Sequence, residues 1–579
     1  MKLMRKLPWV LLSILNCIAN SSVAGTTGRI FKFKVDLEDK RGSTFTILRP
    51  WDFLSERSLA RRTKAGFGVT MDDLPVVNTY IMSVQGTGVK VLLASRWMNS
   101  LLISTTDSSL IHQVRDLHCV KSVSLMGVFN RKRNIAADEP EAAGEMSSLE
   151  MMESERIAVG NKVQAEDFNE GYGLGWTQIS MIRAQQLHKA GFKGDGIYIA
   201  ILDAGFYRAN RMQAFDSIFL TKRFLGSVDL IDRGTGVFED DDHGTQVLSC
   251  MASNVSGIMI GTAPNASYLL IRTEDAGTEV PAEEFQWLCG AEYADSCGVD
   301  LISSSLGYTE FDDVRMGHSY SELDGHTTLV TRAANMAWDR GLVIVNSAGN
   351  EGDEKWQHIG APADADGVIA IGAVDEYGER ADFSSMGPTA DGRIKPDAMA
   401  LGKRTTVINS NGYYIRSNGT SYSAPVFAGA MACFLQAGYY NSPATMRKIM
   451  MLSTSEFLTG DSLNGHGIPN FELAMQMVQG KNQPDSASQP FIYWPDNDSI
   501  SAGFDLKSVV KPNSGYFYEL KNERGKTISQ GSLYCYENVL CASRITPAES
   551  GWYQLSVKDR DKLWTCRFYF ARNSKKKRK

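Results

Sequence analysis

Three side chains of the sequence have the types and surroundings that nucleophilic hydrolysis needs. Asp203 ends the apolar run "GIYIAILDAGF", His243 opens "HGTQVLSCMA", and Ser421 stands at the start of "NGTSYSAPVFAGAMACFL". A serine becomes a nucleophile when a base lies within hydrogen-bond reach and a carboxylate holds that base in one tautomer. Each residue alone also has a structural interpretation: a buried carboxylate satisfied by backbone N–H groups, an incidental histidine, and a serine that caps a helix. Together they predict a hydrolase.

The elements that would position these residues are buried strands alternating with helices. Apolar runs occur in "GIYIAILDAGF", "ASYLLIRTED", "VDLISSSLG", "GLVIVNSAGN" and "GVIAIGAVD", and helical patterns lie between them, as at residues 281–296 and 327–340. Runs that are apolar on both faces predict an α/β fold, a parallel sheet with helices on both faces. Ligands of such sheets bind beyond the carboxyl ends of the strands, which is where Asp203, Ser305, Asn346 and Asn350 fall.

Length and composition predict several domains. The chain has 579 residues, too many for one ordinary domain, and its 43% hydrophobic content is enough to bury a sizeable core. A net charge of -6 argues against nucleic acid as the main partner. We predict a signal peptide over residues 1–24, an α+β domain over 25–130, a linker and processing region over 131–170, the α/β domain over 171–480, a small β-sandwich over 486–572 and a basic tail over 573–579.

The first residues predict export. Lys2, Arg5 and Lys6 precede an apolar run over residues 7–18, and the small residues at 22–24 follow it. This order of basic, apolar and small residues is typical of a secretory signal, and the run is short for a membrane span. Since no later stretch of the sequence is long and apolar enough to span a bilayer, we expect a protein without a membrane span, either secreted or held in the cell envelope.

Five stretches taken together resemble the subtilisin-type serine proteases. They are "ILDAGF" around Asp203, "HGTQVLSCMA" at His243, "SLG" from Ser305, "NSAGNEG" around Asn350 and "NGTSYSAP" around Ser421. The similarity extends over about residues 171–480, and "PADADGVIAIGAVD" and "FSSMGPTADGRIKPD" resemble the bacterial secreted branch of the family. The resemblance implies a subtilisin-like α/β domain, with residues 25–130 as a propeptide that acts as an intramolecular chaperone and inhibitor.

The resemblance also implies a role for each matching residue. Ser421 would be the nucleophile, His243 the general base and then the acid, and Asp203 the group that orients the imidazole. Asn350 would donate its side-chain amide to the oxyanion of the tetrahedral intermediate, alongside the backbone N–H of Ser421. Pro425 is expected within the first turn of the following helix, where no N–H donor is needed.

Substrate binding is assigned by the same resemblance. Ser305, Leu306 and Gly307 match the strand that takes a peptide as an added β-strand in this family. Glu351 lies near the end of the first specificity pocket, where it would either favour basic side chains or simply face solvent. Gln246 stands where the family usually has a second histidine, and we expect it to lie outside the triad without an effect on catalysis.

No cofactor is expected for catalysis, and no metal ligand is assigned. Subtilisins commonly bind structural calcium through carboxylate and carbonyl oxygens. The acidic run at 239–242 and the loop at 364–366 are candidates by composition alone, and a solvated acidic face is the alternative for both. Calcium is therefore expected as a stabiliser at most, without a defined place.

The sequence therefore predicts a secreted serine endopeptidase that processes its own propeptide. Its partners would be protein or peptide substrates and that propeptide. Two alternatives stay open: a more restricted enzyme, such as an exopeptidase or a processing protease, and a catalytically inactive, subtilisin-like binding protein.

Overall fold

The computed structural model describes most of the chain as far as residue 478 and separate strands beyond it. The described ranges are 29–130, 155–156, 171–232, 236–438, 441–457 and 459–478, followed by strands between 491 and 570. The predicted signal peptide, most of the predicted linker and the basic tail lie outside these ranges. None of the helices in the described ranges is long and apolar enough to cross a membrane.

The amino-terminal domain has the predicted α+β arrangement. Its strands are β1 (Arg29–Leu37), β2 (Lys90–Ser95), β3 (Ser100–Thr105) and β4 (Val120–Asn130), which pair antiparallel in the order β2-β3-β1-β4. Its helices are α1 (Glu56–Ala65), α2 (Asn78–Gly86) and α3 (Leu110–Arg115). Val35, Leu101 and Ile103 on the sheet pack with Val84 of α2 and Val114 of α3 in a separate hydrophobic core.

The central domain is built on a parallel sheet of seven strands, as the apolar runs predicted. Its sheet order is β14-β13-β12-β11-β6-β10-β7, and every neighbouring pair is parallel. Strands from the linker to the end of this domain are β5 (Glu155–Arg156), β6 (Tyr198–Asp203), β7 (Phe224–Asp229), β8 (Asn254–Val255), β9 (Met259–Ile260), β10 (Ser267–Arg272), β11 (Leu301–Ser304), β12 (Val343–Ser347), β13 (Val368–Val374), β14 (Ala398–Leu401), β15 (Thr405–Ile408) and β16 (Tyr414–Ser417).

Helices cover both faces of this sheet. They are α4 (Trp176–Met181), α5 (Ala184–Lys189), α6 (Asp216–Leu220), α7 (His243–Ala252), α8 (Ala282–Cys297), α9 (Leu329–Asp339), α10 (Thr420–Ala437), α11 (Pro443–Leu452) and α12 (Phe471–Val478). Successive residues of β6 belong to different cores: Ile201 lies in the core that contains Phe427 of α10, whereas Leu202 lies in the core that contains Trp287 of α8. The central strands are therefore apolar on both faces because helices bury both.

The carboxyl-terminal residues form two antiparallel sheets of four strands, with orders β17-β18-β22-β21 and β20-β19-β23-β24. The strands are β17 (Phe491–Asp496), β18 (Ser499–Asp505), β19 (Phe517–Asn522), β20 (Thr527–Ser532), β21 (Tyr534–Tyr536), β22 (Val539–Cys541), β23 (Gly551–Asp559) and β24 (Lys562–Phe570). This is the all-β composition predicted for the region, and the packing of the two sheets as a sandwich stays a prediction.

A buried histidine joins the first residues of the central domain to its core. The hydroxyl of Tyr172 lies 3.0 Å from His188 Nδ1, and His188 Nε2 lies 2.9 Å from the carbonyl oxygen of Thr262. Because the carbonyl only accepts, Nε2 carries the proton and Nδ1 accepts from the tyrosine. Burial, with a further contribution from Lys193, lowers the pKa of His188 from 6.5 to about 4.

This histidine predicts a loss of stability in acid. A depressed histidine pKa means that the folded state disfavours the charged form, so stability is complete above pH 6.5 and falls as the pH drops toward about 4. The shift corresponds to about 2–4 kcal/mol. Urea unfolding of the Ser421→Ala chain at several pH values should show that His188→Gln removes this part of the acid slope. The exposed His112→Gln should leave the slope unchanged, and equal slopes in parent and His188→Gln would contradict the assignment.

Candidate active site

Asp203 is placed by the carboxyl end of the central strand β6. Its side chain is fully buried, and Oδ1 accepts a hydrogen bond of 2.8 Å from the backbone N–H of Ala204. On the neighbouring strand β10 it pairs with Arg272, and the N–H of Thr273 donates to its carbonyl at 3.0 Å. Burying a carboxylate is costly unless it accepts hydrogen bonds. The backbone N–H of Ala204 supplies one of these hydrogen bonds, and a side chain supplies the other.

That other partner is His243, the first residue of α7. Its Nδ1 lies 2.9 Å from Oδ1 and 3.1 Å from Oδ2 of Asp203. Its backbone N–H donates to Asp241 Oδ1 at 2.8 Å, which fixes the start of the helix. Since a carboxylate only accepts, Nδ1 carries the imidazole proton, and Nε2 is left as the basic nitrogen.

Ser421 is the second residue of α10, and the residue after it contacts the ring of His243. Ser421 is 6% exposed, and the ring of the next residue, Tyr422, lies 6.2 Å from the imidazole of His243, centroid to centroid. Gly419 precedes the helix with φ +150 and donates its N–H to Gly402 at 2.9 Å. The turn thus brings the serine to the positive end of a buried helix that begins beside the imidazole.

Pro425 lies deeper in α10 than the sequence predicted. The helix begins at Thr420, so Pro425 falls in its second turn, where the expectation of a first-turn proline is wrong. A residue at this position would normally donate its N–H to the carbonyl of Ser421, and proline has no such donor. Ser305 Oγ supplies the hydrogen bond instead, at 2.9 Å from the Ser421 carbonyl oxygen.

The Ser305 hydrogen bond predicts a stability loss. Ser305→Ala leaves the buried Ser421 carbonyl without its donor, and we expect a loss of about 1–3 kcal/mol in the free energy of unfolding. Urea unfolding in the Ser421→Ala background measures it. Ser303 on β11 is a matched control, because its buried hydroxyl has no hydrogen-bond partner in the described part of the chain. A Ser305→Ala chain as stable as the Ser303→Ala chain would refute the replacement.

Asn350 is held in place by the residue before the serine. Its Oδ1 accepts from the backbone N–H of Thr420 at 2.8 Å and from Thr420 Oγ1 at 2.9 Å. The carbonyl oxygen of Gly349 also lies 3.1 Å from Thr420 Oγ1 and shares the single hydroxyl proton with Asn350 Oδ1. With Oδ1 fully engaged on this side, the amide Nδ2 of Asn350 is the end left to donate, as an oxyanion donor requires.

The stretch from Ser305 to Gly307 is anchored to α10 at its first residue and has exposed backbone at its last. Ser305 is buried against α10, and the carbonyl of Leu306 accepts from Asn346 Nδ2 at 2.8 Å. Gly307 is exposed, and a Cβ added there would meet nothing within 4 Å. After it the chain turns back into pairing, where the N–H of Tyr308 donates to Ala361 at 2.8 Å. Open backbone at Gly307 is the feature that an added peptide strand needs.

Glu351 is neither fully solvated nor free. Its Oε2 accepts from Ser385 Oγ at 2.7 Å, and the same hydroxyl accepts from the Glu351 N–H at 3.0 Å. Burial raises the pKa of Glu351 above its usual value, although the Ser385 hydroxyl works in the opposite direction. Gly349 has φ +111, and a Cβ there would clash with Glu351 Oε2, so the carboxylate folds back over the turn that carries Asn350.

Two hydrogen bonds that support the site, both made by Gln246, were not predicted from the sequence. The hydroxyl of Tyr422 donates to Gln246 Oε1 at 2.8 Å, and Gln246 Nε2 donates to Asp242 Oδ1 at 3.2 Å. Gln246 therefore connects the helix of the histidine with the helix of the serine, closer to the predicted triad than the sequence indicated. The tyrosine beside the serine in "TSYSAP" was the only signal, and its partner lies 176 positions away.

The two acidic runs proposed for calcium do not fit a calcium site. Asp242 Oδ2 accepts from the Ser410 N–H at 3.0 Å, and Asp240 pairs with Arg272 at 3.4 Å. In the second loop, Asp364 Oδ2 accepts from the Gly325 N–H at 2.8 Å, and Asp366 pairs with Arg393 at 2.8 Å. Across the described ranges, no group of three or more histidine, cysteine or acidic residues could hold a metal ion.

Comparison with known proteins agrees with the fold. The model of the subtilase family matches residues 194–474, and a model of the S8 peptidase propeptide domain of Bacteroidota matches residues 32–141. Subtilisin DY from Bacillus licheniformis is 30% identical over 301 residues, which cover 52% of this chain and 97% of that protein. Subtilisin NAT from Bacillus subtilis subsp. natto is 30% identical over 302 residues, covering 52% of this chain and 70% of that protein.

A third relative is the serine protease AprX from Bacillus subtilis (strain 168), 28% identical over 309 residues that cover 48% of this chain and 66% of that protein. The two family models match separate parts of the chain, which correspond to the amino-terminal α+β domain and the parallel-sheet domain. The chain therefore belongs to the subtilase family, as a subtilisin-type serine endopeptidase with an amino-terminal propeptide domain.

Proposed function

We propose that this protein is a secreted endopeptidase that uses Asp203, His243 and Ser421 as its catalytic triad and Asn350 as an oxyanion donor. The observation that carries the proposal is the contact of 2.9 Å between Asp203 Oδ1 and His243 Nδ1. It favours the tautomer in which Nε2 can take a proton. The ring contact of 6.2 Å between His243 and Tyr422, the residue after Ser421, supports a nucleophilic role for the serine.

The proposed reaction proceeds in two halves. Ser421 Oγ attacks the carbonyl carbon of the scissile bond while His243 Nε2 takes the hydroxyl proton. The carbonyl oxygen becomes an oxyanion that accepts from Asn350 Nδ2 and from the Ser421 N–H. The C–N bond then breaks, and His243 returns the proton to the leaving amine. A water molecule repeats the sequence on the acyl-enzyme and releases the acid, with Asp203 stabilising the imidazolium each time.

Substrate is proposed to bind as a strand along Ser305, Leu306 and Gly307. The open space beside Gly307 supports this assignment, because a peptide backbone can approach there without meeting a side chain. Glu351 is proposed to influence the preferred side chain before the cut. Its carboxylate lies one residue beyond Asn350, and kcat/KM for peptides with lysine, leucine or glutamate at that position, in wild type and Glu351→Gln, tests its effect.

Export and self-processing complete the proposal. The basic, apolar and small residues of positions 1–24 support a signal peptide, and the propeptide domain within the same chain supports an intramolecular inhibitor that is cut away. Calcium enters no step of this proposal.

A serine-directed fluorophosphonate tests the chemistry. We expect wild type to be labelled on Ser421 and to hydrolyse peptides blocked at both ends, whereas Ser421→Ala should do neither. Labelling together with hydrolysis of free-ended peptides alone would favour an exopeptidase. Labelling together with hydrolysis of only one or a few peptide sequences would favour a processing protease. Absence of labelling in a wild-type chain without its propeptide domain bound would favour the inactive binding protein.

A further inference from the structure

Two helices of the catalytic domain end with glycines on the face that the propeptide domain covers. After α8, Gly298 has φ +80 and donates its N–H to the carbonyls of Ala294 and Asp295. After α9, Gly341 has φ +82. The last carbonyls of any helix lack partners within it, and together they carry a partial negative charge. The ends of α8 and α9 therefore form a surface that attracts cations.

Helix α1 of the propeptide domain lies across both of these ends. A Cβ on Gly298 would lie 2.7 Å from Arg57 Cβ and 2.8 Å from the Ser58 nitrogen. A Cβ on Gly341 would lie 2.6 Å from Ala65 Cβ. The first turn of α1 thus packs on one helix end and its last residue on the other, so the two glycines permit the approach as well as the turn.

Arginines of α1 donate to the carbonyls at these ends. Arg57 Nε donates to Gly298 at 2.9 Å, and its Nη2 donates to Gly196 at 2.7 Å and to the carboxylate of Asp300. Arg61 donates to the carbonyl of Val299. The guanidinium groups therefore satisfy acceptors that the catalytic domain alone leaves open at this surface.

The centre of the contact is Asp295 of α8, which is fully buried. Its carboxylate accepts from Arg61, from Arg62 Nη2 at 2.6 Å and from Arg96 Nη2 at 2.5 Å. Burial alone would raise the pKa of Asp295, but the three guanidinium groups lower it to about 2. We call Arg57, Arg61, Arg62 and Arg96 the arginine clamp.

An ion pair of the opposite polarity also crosses the contact, with the arginine on the catalytic domain and the aspartate on the propeptide domain. Arg340 at the end of α9 donates from Nε to Asp73 of the propeptide domain at 2.7 Å, and Arg62 donates to both oxygens of Asp73 at 3.0 Å. Removing one member of such a buried set leaves an uncompensated charge, which is strongly destabilising. Shape, charge and hydrogen bonding thus all match at this one surface.

We propose that the carboxyl ends of α8 and α9, centred on Asp295, are the surface by which the catalytic domain recognises its own propeptide, and that the arginine clamp on α1 is the element recognised. The contact lies where α8 and α9 end, just before β11 and β12 begin, whereas Asp203 lies at the opposite, carboxyl end of the parallel strand β6. The proposal rests on the proposed function only in naming residues 29–130 as the inhibitor, because docking itself needs no catalysis.

Hydrogen–deuterium exchange of the full-length Ser421→Ala chain tests the surface. We expect Arg62→Met and Asp295→Asn each to raise exchange at least tenfold in α1 and at residues 298–300. In the double variant the combined increase should be smaller than the two single effects added together, because both variants remove the shared ion pair between Arg62 and Asp295. The exposed Arg115→Met, on the same domain, should change neither region. Exchange within twofold of the parent in both single variants, or effects that simply add, would overturn the proposal.

Strand β13, a fully buried interior strand of the sheet, separates local undocking from failure to fold. Its protection should be unchanged in every variant. If β13 loses its protection against exchange in Arg62→Met, the variant Arg57→Met is used in its place. The Arg57 side chain is 31% exposed, so its loss destabilises the fold less. Arg57→Met should raise exchange at least threefold at the start of α1 and at Gly298, and no increase there would contradict the proposal. Absent hydrolysis by wild type would contradict the proposed function and leave this result intact.

Discussion

Ser421→Ala is expected to abolish peptide hydrolysis and to leave the exported chain at full length. Without the hydroxyl there is no acyl-enzyme, and kcat should fall about 10⁶-fold, the size of the loss known for the corresponding substitution in subtilisin itself. Intact mass after export should then differ between the two proteins: wild type should lose the propeptide domain, and Ser421→Ala should retain it.

A serine two positions along provides the control. Ser423 is buried on the same helix, and its Oγ donates to the carbonyl of Thr420 at 3.0 Å. Ser423→Ala should process itself and retain kcat within about tenfold, because only one neutral hydrogen bond is lost. A Ser421→Ala chain that still trims itself in a host lacking other proteases would mean that another residue is the nucleophile.

Asn350→Asp is expected to give the second largest loss. Aspartate keeps the oxygen that accepts from Thr420 at 2.8 Å and 2.9 Å, so the turn should survive, but it removes the Nδ2 donor and adds a negative charge. Loss of one oxyanion donor costs about 10²–10³ in kcat, and the charge should increase that loss. KM should change little, because the donor acts on the intermediate more than on the bound peptide.

Steady-state kinetics on a blocked peptide and a thermal melt together test this expectation. The exposed Asn411→Asp is the matched control and should leave both constants unchanged. A rise in KM with an unchanged kcat would place Asn350 in substrate binding, and a large fall in melting temperature would show that the turn itself had been lost.

The strands next to the site were predictable from sequence because both of their faces are buried. The five apolar runs correspond to β6, β10, β11, β12 and β13, and the predicted helices at 281–296 and 327–340 correspond to α8 and α9 within two residues. The edge strands β7 and β14 were missed. β7 is only partly buried and so lacks a continuous apolar run, and β14, with the sequence AMAL, contains no β-branched or aromatic residue.

Within the site, the motifs predicted which residues come together but not the hydrogen bonds that hold them in place. The contact between Asp203 and His243 follows from the motif order, whereas the Ser305 bond depends on where α10 begins, a boundary that sequence fixes poorly. The arginine clamp was invisible for a different reason. Arg62 and Asp295 are 233 positions apart, and an arginine on an amphipathic helix reads as a solvated side chain until its partner is known.

The hydrogen bond from Ser305 to Ser421 has a mechanical consequence. Pro425 removes the helical hydrogen bond to the carbonyl of Ser421, and the side chain that replaces it comes from the segment on which we propose the peptide binds. A force on that segment is therefore transmitted to the backbone of Ser421 within a single contact. Long peptide substrates pair with several residues of this segment and should therefore position Ser421 better than short ones. Increasing the length of the peptide substrate should raise kcat as well as lower KM.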